Sequence, residues 1–313
     1  MSKKSNPALV RCRRILNERI RPQIIANTAD LEVSAAASHF EPVSFADAKR
    51  FVYEPFVLGS AIAPAWHTRW FTLRGHIPKN WDIDATTTTV SVHLDLGFMG
   101  NYDGFQVEAM LYRDGYPVQA IQPDRRRYIL EVVTSGEDIE LFLEVATTPM
   151  VSNISHGKEV SGPVITPYAD PATSPMGSLY RLSVAQIERR LVSMEKFALA
   201  FETVLDLASD LATTDPMCAT SVRVLEDAIA SIDIAHIAPH AQGATEILET
   251  LLTLQNGDVA HQIVATGHAH LDTAWLWPLR ETRRKAARTF VNAVGMARRH
   301  PDHVFSASQA QHY

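Results

Sequence analysis

The sequence predicts a multidomain protein: an antiparallel β-sandwich near the N-terminus, a helical linker region behind it, and then the start of a parallel α/β barrel-like domain, one β–α–β unit long. Three observations predict this order. Apolar residues recur with period two from about Trp70 to Ala146. They recur with a period near 3.6 from Leu182 onward. Between Gln262 and Ser308, two short apolar runs flank one amphipathic helical stretch. The expected divisions are 1–50 for an N-terminal helix and lead-in, 51–150 for the sandwich, 151–260 for a linker and helices, and 261–313 for the α/β segment.

Ala8 to Ile20 has the pattern of a short amphipathic helix, with Leu9, Leu16 and Ile20 on one face and Pro22 ending or bending it. Its arginines, Arg11, Arg13, Arg14 and Arg19, form either a solvated face or a surface for an acidic partner such as a second subunit. In the sandwich, Val90, Val92, Leu94 and Leu96 alternate with polar residues. Phe105, Val107, Ala109 and Leu111 alternate with Gln106, Glu108 and Met110, and Ile139, Leu141, Leu143 and Val145 alternate mostly with acidic residues. Asp114-Gly115 supplies hairpin-turn chemistry, and Pro64, Pro78, Pro117 and Pro123 fall between runs or at their edges.

Met150 to Pro175 is rich in Pro, Ser, Thr and Gly and reads as a linker. Leu182–Leu211, Thr220–Ile234 and Ala244–Leu254 are the candidate helices. Gln262–Gly267 and Val304–Ser308 read as short strands around a helix over Pro278–Arg299. One such unit cannot bury a parallel sheet on both faces, so the expectation is a sequence cut inside a domain.

Composition narrows function. The chain has 313 residues, is 46% hydrophobic and 20% charged, and carries a formal net charge of −6. That balance permits sizeable cores and disfavours nucleic acid as a partner. Cys12 and Cys218 stand far apart, which points away from a disulfide framework and towards a reducing compartment. The polar first residues lack a signal-peptide pattern, and no apolar run is long enough to span a membrane, so a cytoplasmic protein without membrane contact is expected.

The chemistry concentrates in Gly267 to Trp277, at the C-terminal end of the first α/β strand, where ligands of such folds bind. His270 and Asp272 are two apart and point the same way in extended chain, so both can approach one divalent ion. An imidazole with a carboxylate suits zinc, and cobalt or manganese also fit. His268 shares that parity as a third ligand, a hydrogen-bonding support behind the ligands, or a substrate contact. Trp275 and Trp277 offer flat faces on which a sugar can stack. The alternative for these residues is structural: Asp272 as a helix cap, the histidines as hydrogen-bonded groups and the tryptophans as core.

The run GHAHLDTAWLWPLRET, from Gly267 to Thr282, with Ser308-Gln309-Ala310-Gln311 beyond it, closely resembles the start of the catalytic domain of glycoside hydrolase family 38. The similarity is strongest to the cytosolic and vacuolar-type α-mannosidases and their bacterial relatives. The region Trp70–Ala146 likewise resembles the β-sandwich that precedes that domain. The resemblance implies a metal-dependent retaining α-mannosidase acting on mannose-containing oligosaccharides. It implies His270 and Asp272 as two of four metal ligands and Trp275 as an aromatic residue packed against the sugar, and it gives His268 no ligand role, which leaves His268 a candidate substrate contact by its parity alone. It also implies that the nucleophile, which doubles as a ligand, and the acid/base lie beyond Tyr313, so that this chain alone is inactive. Glu281, one turn into the following helix, is then a dipole partner rather than the missing carboxylate. The competing readings are a metal-dependent amidohydrolase or deacetylase, in which His268 and His270 both ligate, and a non-catalytic carbohydrate-binding remnant. A homo-oligomer is compatible with all three.

Overall fold

The computed structural model describes residues 6–100, 104, 106–149, 154–155, 158–159, 180–254, 263–274 and 277–312. Helix α1 (Pro7–Ile15) starts behind Asn6, whose Oδ1 accepts the Ala8 N–H at 3.0 Å. It continues through a π turn (Leu16–Ile20) into a 3₁₀ turn (Arg21–Ile24), which contains Pro22 and leads into strand β1 (Ile25–Asp30). Then come β2 (Glu32–Ala35), the short α2 (Phe45–Ala48), β3 (Glu54–Pro55), β4 (Thr68–His76), β5 (Thr88–Asp95), β6 (Glu108–Arg113), β7 (Tyr116–Ile121), β8 (Arg127–Ile129) and β9 (Asp138–Ala146). A small hairpin, β10 (Ile154–Ser155) with β11 (Lys158–Glu159), precedes β12 (Val184–Leu191). The linker expected over Met150–Pro175 otherwise lies outside the described residues, as does Phe105.

Two antiparallel sheets face each other, one ordered β3-β2-β4-β9-β6-β7 and the other β1-β12-β5-β8. Phe71, Leu73, Leu141 and Leu143 of the first meet Val90, Val92, Leu94 and Ile187 of the second in one buried core. Of the residues expected to face inward, Val90, Val92 and Leu94 of β5, Ala109 and Leu111 of β6, and Ile139, Leu141, Leu143 and Val145 of β9 lie in that core, although Glu108 and Met110 beside them on β6 are buried as well. Asp114 and Gly115 turn β6 into β7 with φ of 53° and 87°, both in the left-handed region a two-residue hairpin of this kind needs. Pro117 lies on β7, an edge strand, opposite Tyr112 and beside the irregularity in the β6–β7 register.

Two expectations need correction. The sheets take strands from outside the stretch 51–150: β1, β2 and β12 belong to them. And Leu182–Leu211 is not helical throughout. Ala185 and Ile187 point into the core between Gln186 and Glu188, a period-two pattern, and β12 pairs with both β1 and β5. Only the part from Val192 on is helix α3 (Val192–Asp210).

Helix α4 (Pro216–Ala230) follows its Asp215 cap, and α5 (Ala241–Leu252) follows a 3₁₀ turn. These three helices share a second core with α1: Leu16 and Ile20 pack with Phe197, Phe201, Leu225 and Leu248. Of the arginines expected on the basic face, Arg13 pairs with Asp206 at 2.8 Å and Arg14 with Glu18 at 3.7 Å, while Arg21, in the 3₁₀ turn beyond, pairs with Glu202 at 2.5 Å.

Beyond these helices, β13 (Gly267–His268) and β14 (Phe305–Ser306) pair in parallel on either side of α6 (Leu279–Arg299). The ladder is shorter than the apolar runs suggest. Ile263, Val264 and Val304 are exposed, because among the described residues only Gly267 and His268 find partners across from Phe305 and Ser306.

Candidate functional site

A side chain at Gly267 would crowd its neighbours. A Cβ there would lie 3.0 Å from the His303 ring and 3.2 Å from the Val304 carbonyl, which the β13–β14 pairing brings close. From Gly267 the chain alternates. Leu271 turns inward to pack with Trp66, Trp277 and Ala286, while His268 and His270 face outward. Extended geometry therefore puts His270 and Asp272 together, with His270 Nε2 3.2 Å from Asp272 Oδ1. Both side chains are accessible, at 62% and 37% exposure. His268 is exposed on β13, opposite Ser306. Trp275 lies outside the described residues.

Asp272 does not cap α6. The N-cap position is Pro278, six residues on, and no side chain caps there. Nor is Trp277 an open sugar platform. It is buried, its indole N–H donates to Thr282 Oγ1 at 3.1 Å, and the Lys285 ammonium sits 4.6 Å from its ring centroid. Trp277 is a packing residue that fastens the loop to the helix. Sequence reasoning missed two further residues. Thr282 binds the loop from α6, and His312, in a 3₁₀ turn after β14, lies 2.8 Å through Nε2 from Thr273 Oγ1. Position was the available signal for His312, which follows β14 as Asp272 follows β13.

Glu281 also needs correction. It lies in the first turn of α6, but it is 1% exposed and locked among cations rather than simply facing a helix dipole. Arg288 reaches it at 2.8 Å and Arg284 pairs with it more closely. Across the interface, Glu108 on β6 holds Lys285 at 2.7 Å and Arg288 at 3.1 Å, and Arg284 meets Glu144 on β9 and Thr68 on β4. Three carboxylates and three cations therefore neutralise one another between α6 and the outer face of the six-stranded sheet. Burial pushes the Glu281 carboxyl up, but Arg284, Arg288 and Lys285 outweigh it and hold its pKa down at about 2. Asn292, further along α6, accepts the Ala120 N–H of edge strand β7 at 2.9 Å. This cover explains why Glu108, Met110 and Glu144, on the outward face of the sheet, are buried.

The site thus offers a two-donor set, imidazole nitrogen with carboxylate oxygen, on a loop backed by a clamped helix. Among the described residues, no group of three or more His, Cys, Asp or Glu is gathered that could hold a metal ion. Also among them, no helix is long and apolar enough to cross a membrane.

Comparison with known proteins agrees with this layout. The family model for the "Alpha-mannosidase, jelly roll domain" matches residues 28–188, just over half of the chain, and takes in the second half of β1, all of β2 to β11 and most of β12. The model for the "Glycosyl hydrolases family 38 N-terminal domain" matches residues 260–313. Alpha-mannosidase 2C1 of Homo sapiens is 28% identical over 291 residues, covering 90% of this chain and 25% of that protein. Alpha-mannosidase G of Dictyostelium discoideum is 22% identical, covering 87% and 23%. The Alpha-mannosidase of Saccharomyces cerevisiae is 23% identical, covering 82% and 23%. The chain spans about a quarter of the length of the curated relatives it matches. With its jelly-roll sandwich, the helices behind it and the His270–Asp272 loop in matched order, the chain belongs to the α-mannosidases of glycoside hydrolase family 38.

Proposed function

We propose that this chain supplies the N-terminal portion of a metal-dependent retaining α-mannosidase that hydrolyses terminal α-mannosides of glycans in the cytoplasm. His270 and Asp272 contribute two metal ligands, and Trp275, with His268, contacts the sugar. The observation that carries this reading is the 3.2 Å approach of His270 Nε2 to Asp272 Oδ1 on an accessible loop inside the segment matched to the family 38 domain. The donor set fits a divalent ion of borderline softness, zinc first, with cobalt or manganese as alternatives. When bound, such an ion polarises sugar hydroxyls as a Lewis acid. The chain's own residues hold and orient. His270 and Asp272 present their donors outward, Leu271 pins the backbone between them, and Trp277 shuts the loop against α6.

Retaining hydrolysis needs two carboxyl groups about 5–5.5 Å apart, one as nucleophile and one as acid/base. Asp272 is committed to the metal in this reading, and Glu281 is locked among Arg284, Lys285 and Arg288. Neither role is assigned within this chain. The chain alone is therefore inactive, and the α/β segment 261–313 is the opening of a larger barrel-like domain. Two free, buried cysteines, Cys12 and Cys218, support a reducing compartment. The test is hydrolysis of an aryl α-mannoside by the purified chain. No turnover is expected. Turnover that disappears in Asp272→Ala would show that a carboxylate of this chain performs the chemistry, and would overturn the assignment.

A further inference from the structure

We propose that Thr282 is the positioning residue of the site, holding the loop that carries His270 and Asp272 in its ligand-ready form. This inference rests on the reading of those two residues as metal ligands. A threonine hydroxyl has one proton to give and two lone pairs. Thr282 uses all three on one loop. It accepts the Ala274 N–H at 2.9 Å and the Trp277 indole N–H at 3.1 Å, and it donates to the Asp272 carbonyl at 3.5 Å. The residue is 3% exposed, so water cannot readily substitute for any of these bonds.

What it holds would not hold itself. Ala274 has a φ of 54°, a left-handed conformation that is strained for a residue with a Cβ. The His270 and Asp272 side chains are accessible and gain little orientation from packing, so their aim depends on the backbone beneath them. Leu271 anchors that backbone on one side through its buried contacts, and Thr282 on the other through the Asp272 carbonyl and the Ala274 amide. The helix carrying Thr282 is itself fixed, since Arg284, Lys285 and Arg288 tie it to Glu144 and Glu108 of the sandwich. Position passes from sheet to helix, from helix to hydroxyl, and from hydroxyl to ligand loop.

Thr282→Val keeps the shape and removes the hydroxyl, whereas Thr282→Ser keeps the hydroxyl. Asn292→Ala is the control that loosens α6 from β7 without touching the loop. In the 313-residue chain, two quantities are followed by NMR: hydrogen exchange of the Ala274 amide, and Zn²⁺ titration of the His270 ring signals. In Thr282→Val the Ala274 amide is expected to lose protection while amides within α6 keep theirs, and Zn²⁺ affinity is expected to fall about tenfold, the low end for residues that orient ligands. Thr282→Ser should restore both, and Asn292→Ala should change neither. Wild-type Zn²⁺ affinity in Thr282→Val would overturn the proposal. So would an Ala274 amide of the unsubstituted chain that exchanges as freely as an open loop, a measurement that needs no variant to fold. If Zn²⁺ leaves the His270 ring signals of the unsubstituted chain unmoved, it is the metal reading that fails, and the Ala274 exchange still decides whether Thr282 holds the loop.

Discussion

Outward and inward residues of the loop have opposite jobs, and their substitutions separate accordingly. His270 and Asp272 are accessible side chains whose loss removes a donor but little packing, so His270→Ala and Asp272→Ala should shift stability by no more than about 0.5 kcal/mol. Trp277 is buried beside Leu271, Ala286 and the Lys285 ammonium, so Trp277→Ala should cost about 3–5 kcal/mol and remove one of the three bonds of the Thr282 hydroxyl. Chemical denaturation of the three variants checks both figures. The pairing of His270 with Asp272 was legible in the sequence because extended chain has a fixed parity. The burial of Trp277 was not. Indole rings serve core and sugar equally well, and only the approach of Thr282 from the next helix places Trp277 inside. Thr282 itself gave no signal, because a threonine in the first turn of a helix is ordinary and its three bonds all depend on how the loop folds back.

At the scale of elements, α6 is the joint. Its buried charges are matched, so breaking one pair leaves an uncompensated charge. Glu281→Gln should destabilise the protein by about 3–5 kcal/mol, whereas Asp206→Ala, which breaks the exposed pair with Arg13, should cost at most about 1 kcal/mol. The same network sets an acid limit. Because the folded pKa of Glu281 is held at about 2 against an ordinary 4.5, its contribution is fully present above pH 4.5 and is lost as pH falls through that window towards 2. Circular dichroism from pH 6 to pH 2 on the unsubstituted chain and Glu281→Gln should show the unsubstituted chain losing its advantage only below about 4.5. The helical period of α6 was plain in the sequence, but its charged face looks the same whether it meets water or a sheet. The acids on β6 and β9 that answer it are more than a hundred positions away. Strand β12 was hidden for a related reason. Its period-two residues run directly into the helical pattern of α3, with no glycine or proline at the join between Leu191 and Val192 to mark it.

At the scale of the whole molecule, the sandwich is closed by strands from both ends of the first 191 residues, β1 and β12 lying side by side although separated by more than 150 positions. A fragment limited to 51–150 lacks β1, β2 and β12, so it should not unfold cooperatively, whereas a fragment from Pro7 to Leu252 keeps both of the larger cores and should. Thermal denaturation of the two fragments tests this. Non-local closure of this kind leaves no mark in local periodicity, which is why the middle of the sandwich was legible and its margins were not. The family motif at Gly267–Thr282, by contrast, was fully local. The central claim is that His270 and Asp272, and not His268, are the metal ligands of this chain. The most direct measurement is zinc binding by the 313-residue chain and its His268→Ala, His270→Ala and Asp272→Ala variants, by isothermal titration with metal content from mass spectrometry. The account predicts weak binding, readily removed by a chelator, that disappears in His270→Ala and Asp272→Ala and persists in His268→Ala. Tight stoichiometric zinc lost equally from His268→Ala and His270→Ala would contradict it and favour an amidohydrolase-like site.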